Sequence, residues 1–169
     1  MTVIAEDDLQ IKLPAGAKAR KFDDQNVHGL SHCMKAVDFI VDLDDRTFYI
    51  EFKDPQHPAS QPKDREKFIR QFLSGQIDTD LKTKYRDSFL YECGSARASK
   101  PIYYLVLIGA DVLSDADLLA RTDSLKRQLP VYGPDGKQWK QNFIAGCAVM
   151  NLAAWNRFLP SFPASRLSA

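Results

Sequence analysis

Three cysteines and three histidines in 169 residues leave little material for soft-metal or thiol chemistry. Cys33, Cys93 and Cys147 show no close-paired spacing and are odd in number, which argues against a disulfide framework and suits a reducing cytoplasm. His28 and His32 stand next to Cys33 in register for zinc, but no second ligand pair follows at suitable spacing. His57 falls in a proline-rich loop and reads as an ordinary polar residue. A Gly-rich phosphate loop of Walker or Rossmann type is missing, as is a Gly-x-Ser-x-Gly elbow, so nucleotide-driven and serine-hydrolase chemistry have no support. Strong charge of one sign is missing too. The formal net charge is +1, which excludes a global basic field and confines any nucleic-acid contact to a local patch. The most apolar run, 102–110, is about half the length of a helical membrane span. The first eight residues hold no basic stretch followed by an apolar core, so no signal peptide is expected. The chain reads as soluble and cytoplasmic.

What is present is an apolar content of 44%, enough for one well-formed core and too little chain for two comfortable ones. A single domain over 1–169 is expected, with 1–35 its least legible part. Leu9, Ile11 and Leu13 suggest a strand near 8–13, broken at Pro14. The stretch from Asp54 to Pro62 holds three prolines and must leave any sheet as a loop. Pro62 suits the first turn of a helix, along which Phe68, Ile69, Phe72 and Leu73 form an apolar stripe. The charged residues between, Lys63 to Arg70, read as a solvated face. Ile77, Leu81, Tyr85 and Phe89 recur at helical spacing and give a second helix, stopping at Gly94. Residues 102–108 are apolar without alternation, the mark of a strand covered on both faces. Ser114 and Asp117 have capping-box spacing and open a helix to about Gln128. A turn at 133–136, a buried strand at 143–150 and a helix from a capping Asn151 to Phe158 complete the order. Hairpin, helices, strand, helix, strand, helix predicts an α/β fold, a mixed central β-sheet flanked by helices.

The hairpin spans 36–53. Side chains alternate along a strand, so Val37, Phe39, Val41 and Leu43 share one face and Asp38, Ile40 and Asp42 the other. On the second arm Phe48, Ile50 and Phe52 form the apolar face, opposed by Tyr49, Glu51 and Lys53. The apolar faces coincide only if paired positions sum to an odd number, and a two-residue turn at Asp45-Arg46 gives that parity. Phe39 then pairs with Phe52. Asp38 lies opposite Lys53 and diagonal to Glu51, roughly 7–8 Å between backbone positions, so one cation can bridge both carboxylates.

An acid two residues before a lysine is a cheap pattern, present in Glu51-Phe-Lys53, Asp80-Leu-Lys82 and Asp135-Gly-Lys137. The Asp80 copy falls in an expected helix, where residues two apart diverge by about 160°, and the Asp135 copy falls in a turn. Only Glu51-Phe-Lys53 follows a strand that bears an acid. The segment Lys35-Ala-Val-Asp38-Phe-Ile-Val-Asp-Leu through Tyr49-Ile-Glu51-Phe-Lys53-Asp-Pro55 resembles the PD-(D/E)xK nuclease superfamily. That superfamily's restriction-endonuclease-like fold sets an Asp on one strand and Glu/Asp-x-Lys on the next. Val37 stands where the older motif name has Pro, and the acid that often precedes the first strand has four candidates here, Glu6, Asp7, Asp23 and Asp24.

The resemblance implies that Asp38 and Glu51 bind Mg²⁺ or Mn²⁺, with the Phe52 carbonyl as a further ligand, a hard oxygen set suited to such ions. It implies that Lys53 orients the attacking water or stabilises charge at the phosphate. Lys82 and Arg86, on one flank of the second helix, would grip the phosphate backbone. The implied activity is that of a metal-dependent endonuclease hydrolysing phosphodiester bonds in DNA. The near-neutral charge and the unassigned fourth acid keep another class open. That alternative is a catalytically inactive nuclease-fold binding or assembly module, acting as a homodimer or as a subunit of a DNA-maintenance or phage-defence complex.

Overall fold

The computed structural model describes residues 2–168, and the side chains of all of these except Val27 and His28. Strands β1 (Val3–Glu6) and β2 (Leu9–Lys12) pair antiparallel around Asp7-Asp8, with Asp7 in the left-handed region at φ 52°. Strand β3 (Lys18–Lys21) follows, then the single-turn helix α1 (Gln25–His28), capped by Asp24. Next come β4 (Phe39–Asp42) and β5 (Thr47–Lys53), helices α2 (Pro62–Ser74) and α3 (Asp78–Gly94), and strand β6 (Ile102–Ile108). Helix α4 (Asp115–Gln128), strand β7 (Gly146–Asn151), helix α5 (Leu152–Phe158) and strand β8 (Ala164–Arg166) complete the described chain.

Among the described residues these strands form two sheets. One is five-stranded, in the order β3-β4-β5-β6-β7, and the other is three-stranded, β1-β2-β8. Within the larger sheet β3, β4 and β5 run antiparallel, and between β4 and β5 the tight connection can only reverse the chain. The β5–β6 and β6–β7 pairs are parallel, each crossing over through helices. The expected mixed α/β sheet is therefore present. The smaller sheet is an addition. One strand was legible near 8–13, whereas β1, β3 and β8 are too short to carry a clear alternation.

The first three expected helices are found at α2, α3 and α4, and Ser114 and Asp117 form the capping box reciprocally. Asn151 caps α5 by accepting from the Ala154 N–H. Strand β7 starts at Gly146, later than the expected 143. Phe143 is drawn off the strand line into a cluster with Phe89 and Trp139, at ring separations of 4.8 and 5.4 Å.

The hairpin register differs from expectation. Leu43 donates its N–H to the Arg46 carbonyl at 2.9 Å, so the turn is Asp44-Asp45, not Asp45-Arg46. Phe39 consequently pairs with Ile50, not Phe52, and Asp42 pairs with Thr47. Thr47 pins that end by donating its hydroxyl to Asp42 Oδ1 at 2.8 Å. Every partner moves by two positions, so parity survives and each side chain keeps its face. Phe39 and Phe52 still meet edge to face, at 5.8 Å between centroids.

Both faces of β5 are covered, and of its seven residues only Lys53 escapes burial. On one side Tyr49 packs on Tyr85 of α3, which in turn packs on Tyr104 of β6. On the other, Phe48 packs on Phe162 at 5.3 Å. Among the described residues no helix is long and apolar enough to cross a membrane.

Candidate active site

Extending the β4–β5 register by one residue sets Asp38 across from Glu51, where a turn at Asp45-Arg46 would have set Lys53. Backbone contacts fix Asp38 in place. Its carbonyl accepts from the Phe22 N–H at 2.8 Å, and its Oδ2 accepts from the Phe52 N–H at 2.6 Å. The neighbouring Val37 N–H donates to Ser88 Oγ of α3 at 3.0 Å, drawing that helix over the carboxylates.

Glu51 is fully buried and Asp38 is 4% exposed. Two lysines reach Glu51 Oε1: Lys84 of α3 at 2.6 Å and Lys53 at 2.9 Å. Lys84 also lies 3.5 Å from Asp38 Oδ1. Lys53 and Glu51 are two apart on one strand and so share a face. From Lys53 the ion pairs continue to Asp80 Oδ2 at 3.5 Å, and from Asp80 Oδ1 to Lys35 at 2.5 Å. Glu51 Oε2 is buried without a hydrogen-bond partner.

Burial of this charge sets the electrostatics. The Asp38 carboxyl is pushed up to about 7, first by burial and then by Glu51, with Lys84 and the Phe52 N–H opposing. Burial disfavours the Lys84 ammonium, but Glu51 and Asp38 outweigh it and raise its pKa. Asp80 is also penalised by burial, and Lys35, Lys53 and Lys84 together hold it below the ordinary carboxylate value.

Asp38, Glu51 and Lys53 thus converge as the alternation predicted. Lys82 and Arg86 do not join them. Asp80, Lys84 and Ser88 recur every fourth residue along the site-facing side of α3, and positions two away face roughly the opposite direction. Arg86 is exposed and lines a separate groove with Thr83, Leu90 and Phe143. The acid-x-lysine copy at Asp80-Leu-Lys82 contributes its acid alone. The spacing Asp80, Lys84, Ser88 beside Leu81 and Tyr85 was the available signal for Lys84.

Of the four N-terminal acids, Glu6 pairs with Lys21, Asp7 occupies the β1–β2 turn and Asp24 caps α1. Asp23, paired with Lys21 at 3.0 Å, is the one whose charge acts on Asp38. His32 and Cys33 are exposed, and the side chain of His28 lies outside the described residues.

Among the described residues no group of three or more His, Cys, Asp or Glu side chains is arranged to hold a metal ion. Asp38 and Glu51 are instead a pair of hard oxygen donors with one unpartnered buried oxygen. That set fits an ion such as Mg²⁺, which uses one or two protein carboxylates and keeps water for the rest of its shell.

The strand end beyond Lys53 is tied down separately. Arg166 of β8 reaches Asp54 Oδ1 and Oδ2 at 3.1 Å, the Gly109 carbonyl at 3.0 Å and Asp8 Oδ2 at 3.1 Å. Gly109 permits this approach, since a Cβ there would lie 2.5 Å from Asp54 Oδ1.

No protein-family model, curated protein or solved structure matches this chain.

Proposed function

We propose that the chain is a metal-dependent nuclease of restriction-endonuclease-like fold that hydrolyses phosphodiester bonds in DNA. Asp38 and Glu51 hold Mg²⁺ or Mn²⁺, with the Phe52 carbonyl as a further ligand, and Lys53 assists the attacking water. The observation that carries this reading is the convergence of two buried carboxylates and Lys53 from adjacent strands, with Glu51 Oε2 left unpartnered. The ion would lower the pKa of a bound water and neutralise charge developing at the phosphate.

The protein's own groups divide the remaining work. Glu51 is held rigidly by the centre of the sheet, and Asp38 is aimed by the Phe52 N–H, so both oxygens are preorganised. Burial and the neighbouring Glu51 favour a proton on Asp38, which would be released if the pair took up a cation. Lys53 ends β5 with its side chain 26% exposed, so its ammonium spans the buried pair and the solvent side from which DNA arrives. Lys82 and Arg86, on the outer flank of α3, would contact the DNA backbone away from the cut bond.

The test is cleavage of linear, supercoiled and single-stranded DNA with Mg²⁺ or Mn²⁺, comparing wild type with Glu51→Ala and Lys53→Ala. Each substitution should lower the rate by about a hundredfold or more. Cleavage that survives both sinks the mechanism. A second reading is favoured by one observation: Glu51 Oε1 is already neutralised by two lysines. On that reading the chain is an inactive binding or assembly module that binds DNA or a partner subunit, and wild type would bind DNA with no cation-dependent cleavage.

A further inference from the structure

We infer that Lys84 is the resident counter-ion of the Asp38–Glu51 pair and that a divalent cation enters by displacing its ammonium. The inference rests on the reading of that pair as the cation site. Lys84 Nζ touches Glu51 Oε1 at 2.6 Å and approaches Asp38 Oδ1 at 3.5 Å. It is thus shared by both carboxylates, as a bridging ion must be. Lys53 differs: it contacts Glu51 but pairs outward with Asp80 instead of with Asp38.

Three features make the ammonium a replaceable occupant. It leaves Glu51 Oε2 unpartnered, so it satisfies the pair only in part. Its side chain is 18% exposed on a long flexible stem, so it has a way out towards solvent. Asp80, paired with Lys53 and Lys35, lies one helical turn before Lys84 on the same face, so a further carboxylate stands near a displaced ammonium. A divalent ion held by Asp38 and Glu51 would compete with the Lys84 ammonium for the oxygens of both carboxylates and repel it in a site shielded from water. Lys84 therefore weakens cation binding, while keeping the buried carboxylates compensated before the cation arrives.

The experiment is Mn²⁺ titration without DNA, by calorimetry and electron paramagnetic resonance, on wild type, Lys84→Met and Lys84→Arg, with thermal melting in chelator and in Mn²⁺. Lys84→Met should bind Mn²⁺ at least about tenfold more tightly than wild type, since a neighbouring positive charge is removed. Lys84→Arg should remain near wild type. In chelator Lys84→Met should melt lower than wild type and gain more from Mn²⁺; if it is unfolded in chelator, Mn²⁺ should restore the fold. Equal or weaker Mn²⁺ binding by Lys84→Met overturns the inference and leaves the cation site standing. Tight binding by Lys84→Arg, or a Lys84→Met chain still unfolded in saturating Mn²⁺, also overturns it. No Mn²⁺ binding by wild type or either variant overturns the cation site itself.

Discussion

Glu51 is fully buried, and two ammonium groups make their shortest ion pairs with it. Breaking a buried ion pair from one side strands the remaining charge, so Glu51→Ala should lose about 3 kcal/mol of stability in urea unfolding. Any loss of cleavage by that variant must be read on folded protein. Asp38 makes a different prediction. Its folded pKa of about 7 lies above the unfolded value, so the folded state holds a proton that the unfolded state has released. The stability this contributes is complete below the unfolded pKa near 4 and is lost as pH rises through 7, at about 1.4 kcal/mol per unit. In chelator, wild type should therefore weaken relative to Asp38→Asn between pH 4 and 7, and the two should run parallel above it. Equal pH profiles in thermal melts would refute that assignment. At this scale Asp38, Glu51 and Lys53 were legible because strand alternation is strict. Lys84 was not, because a lysine on a helix reads as solvated until something buried is known to lie beneath it.

Helix α3 shows why. Its buried positions are Asp78, Leu81, Tyr85, Ser88 and Glu92, so the face it turns inward is largely polar and gives no clean apolar stripe. Each of those polar residues has a partner, although Asp78 Oδ1 is buried without a hydrogen bond. Glu92 is held by Arg20 of β3 and by Arg97. Asp78 Oδ2 accepts from Arg121 at 2.8 Å and Ser124 at 2.6 Å, fastening α3 to α4. Arg121→Ala should cost about 2 kcal/mol or more by leaving a buried carboxylate undercompensated, and chemical denaturation would show it. Ser114→Ala, which removes the α4 cap, should cost about 1 kcal/mol. The hairpin teaches a related lesson. Parity followed from the hydrophobic pattern, but absolute register did not, because Asp44-Asp45 and Asp45-Arg46 are equally polar turn sequences. The Thr47–Asp42 contact that accompanies the observed register is a pairing between strands that alternation alone does not report.

Over the whole molecule, the α/β class and the order of the long elements were readable from periodicity, whereas the smaller sheet was not. Strands of three or four residues carry too few positions for a pattern, and β8 pairs with β2 across most of the chain. That distant pairing brings Arg166 to Asp54, Asp8 and Gly109, joining the two sheets beside the candidate site. Arg166→Ala should lower the Tm by roughly 5–10 °C. It should also weaken Mn²⁺ binding, since the chain beyond Lys53 loses its anchor; unchanged affinity would show that the anchor serves stability alone. The same arginine imposes an order of events on synthesis. It lies 112 positions after Asp54, so a growing polypeptide presents Asp38, Glu51 and Lys53 outside the ribosome long before the group that fastens the neighbouring strand end. The site stays unfastened on that side until Arg166 has cleared the exit tunnel.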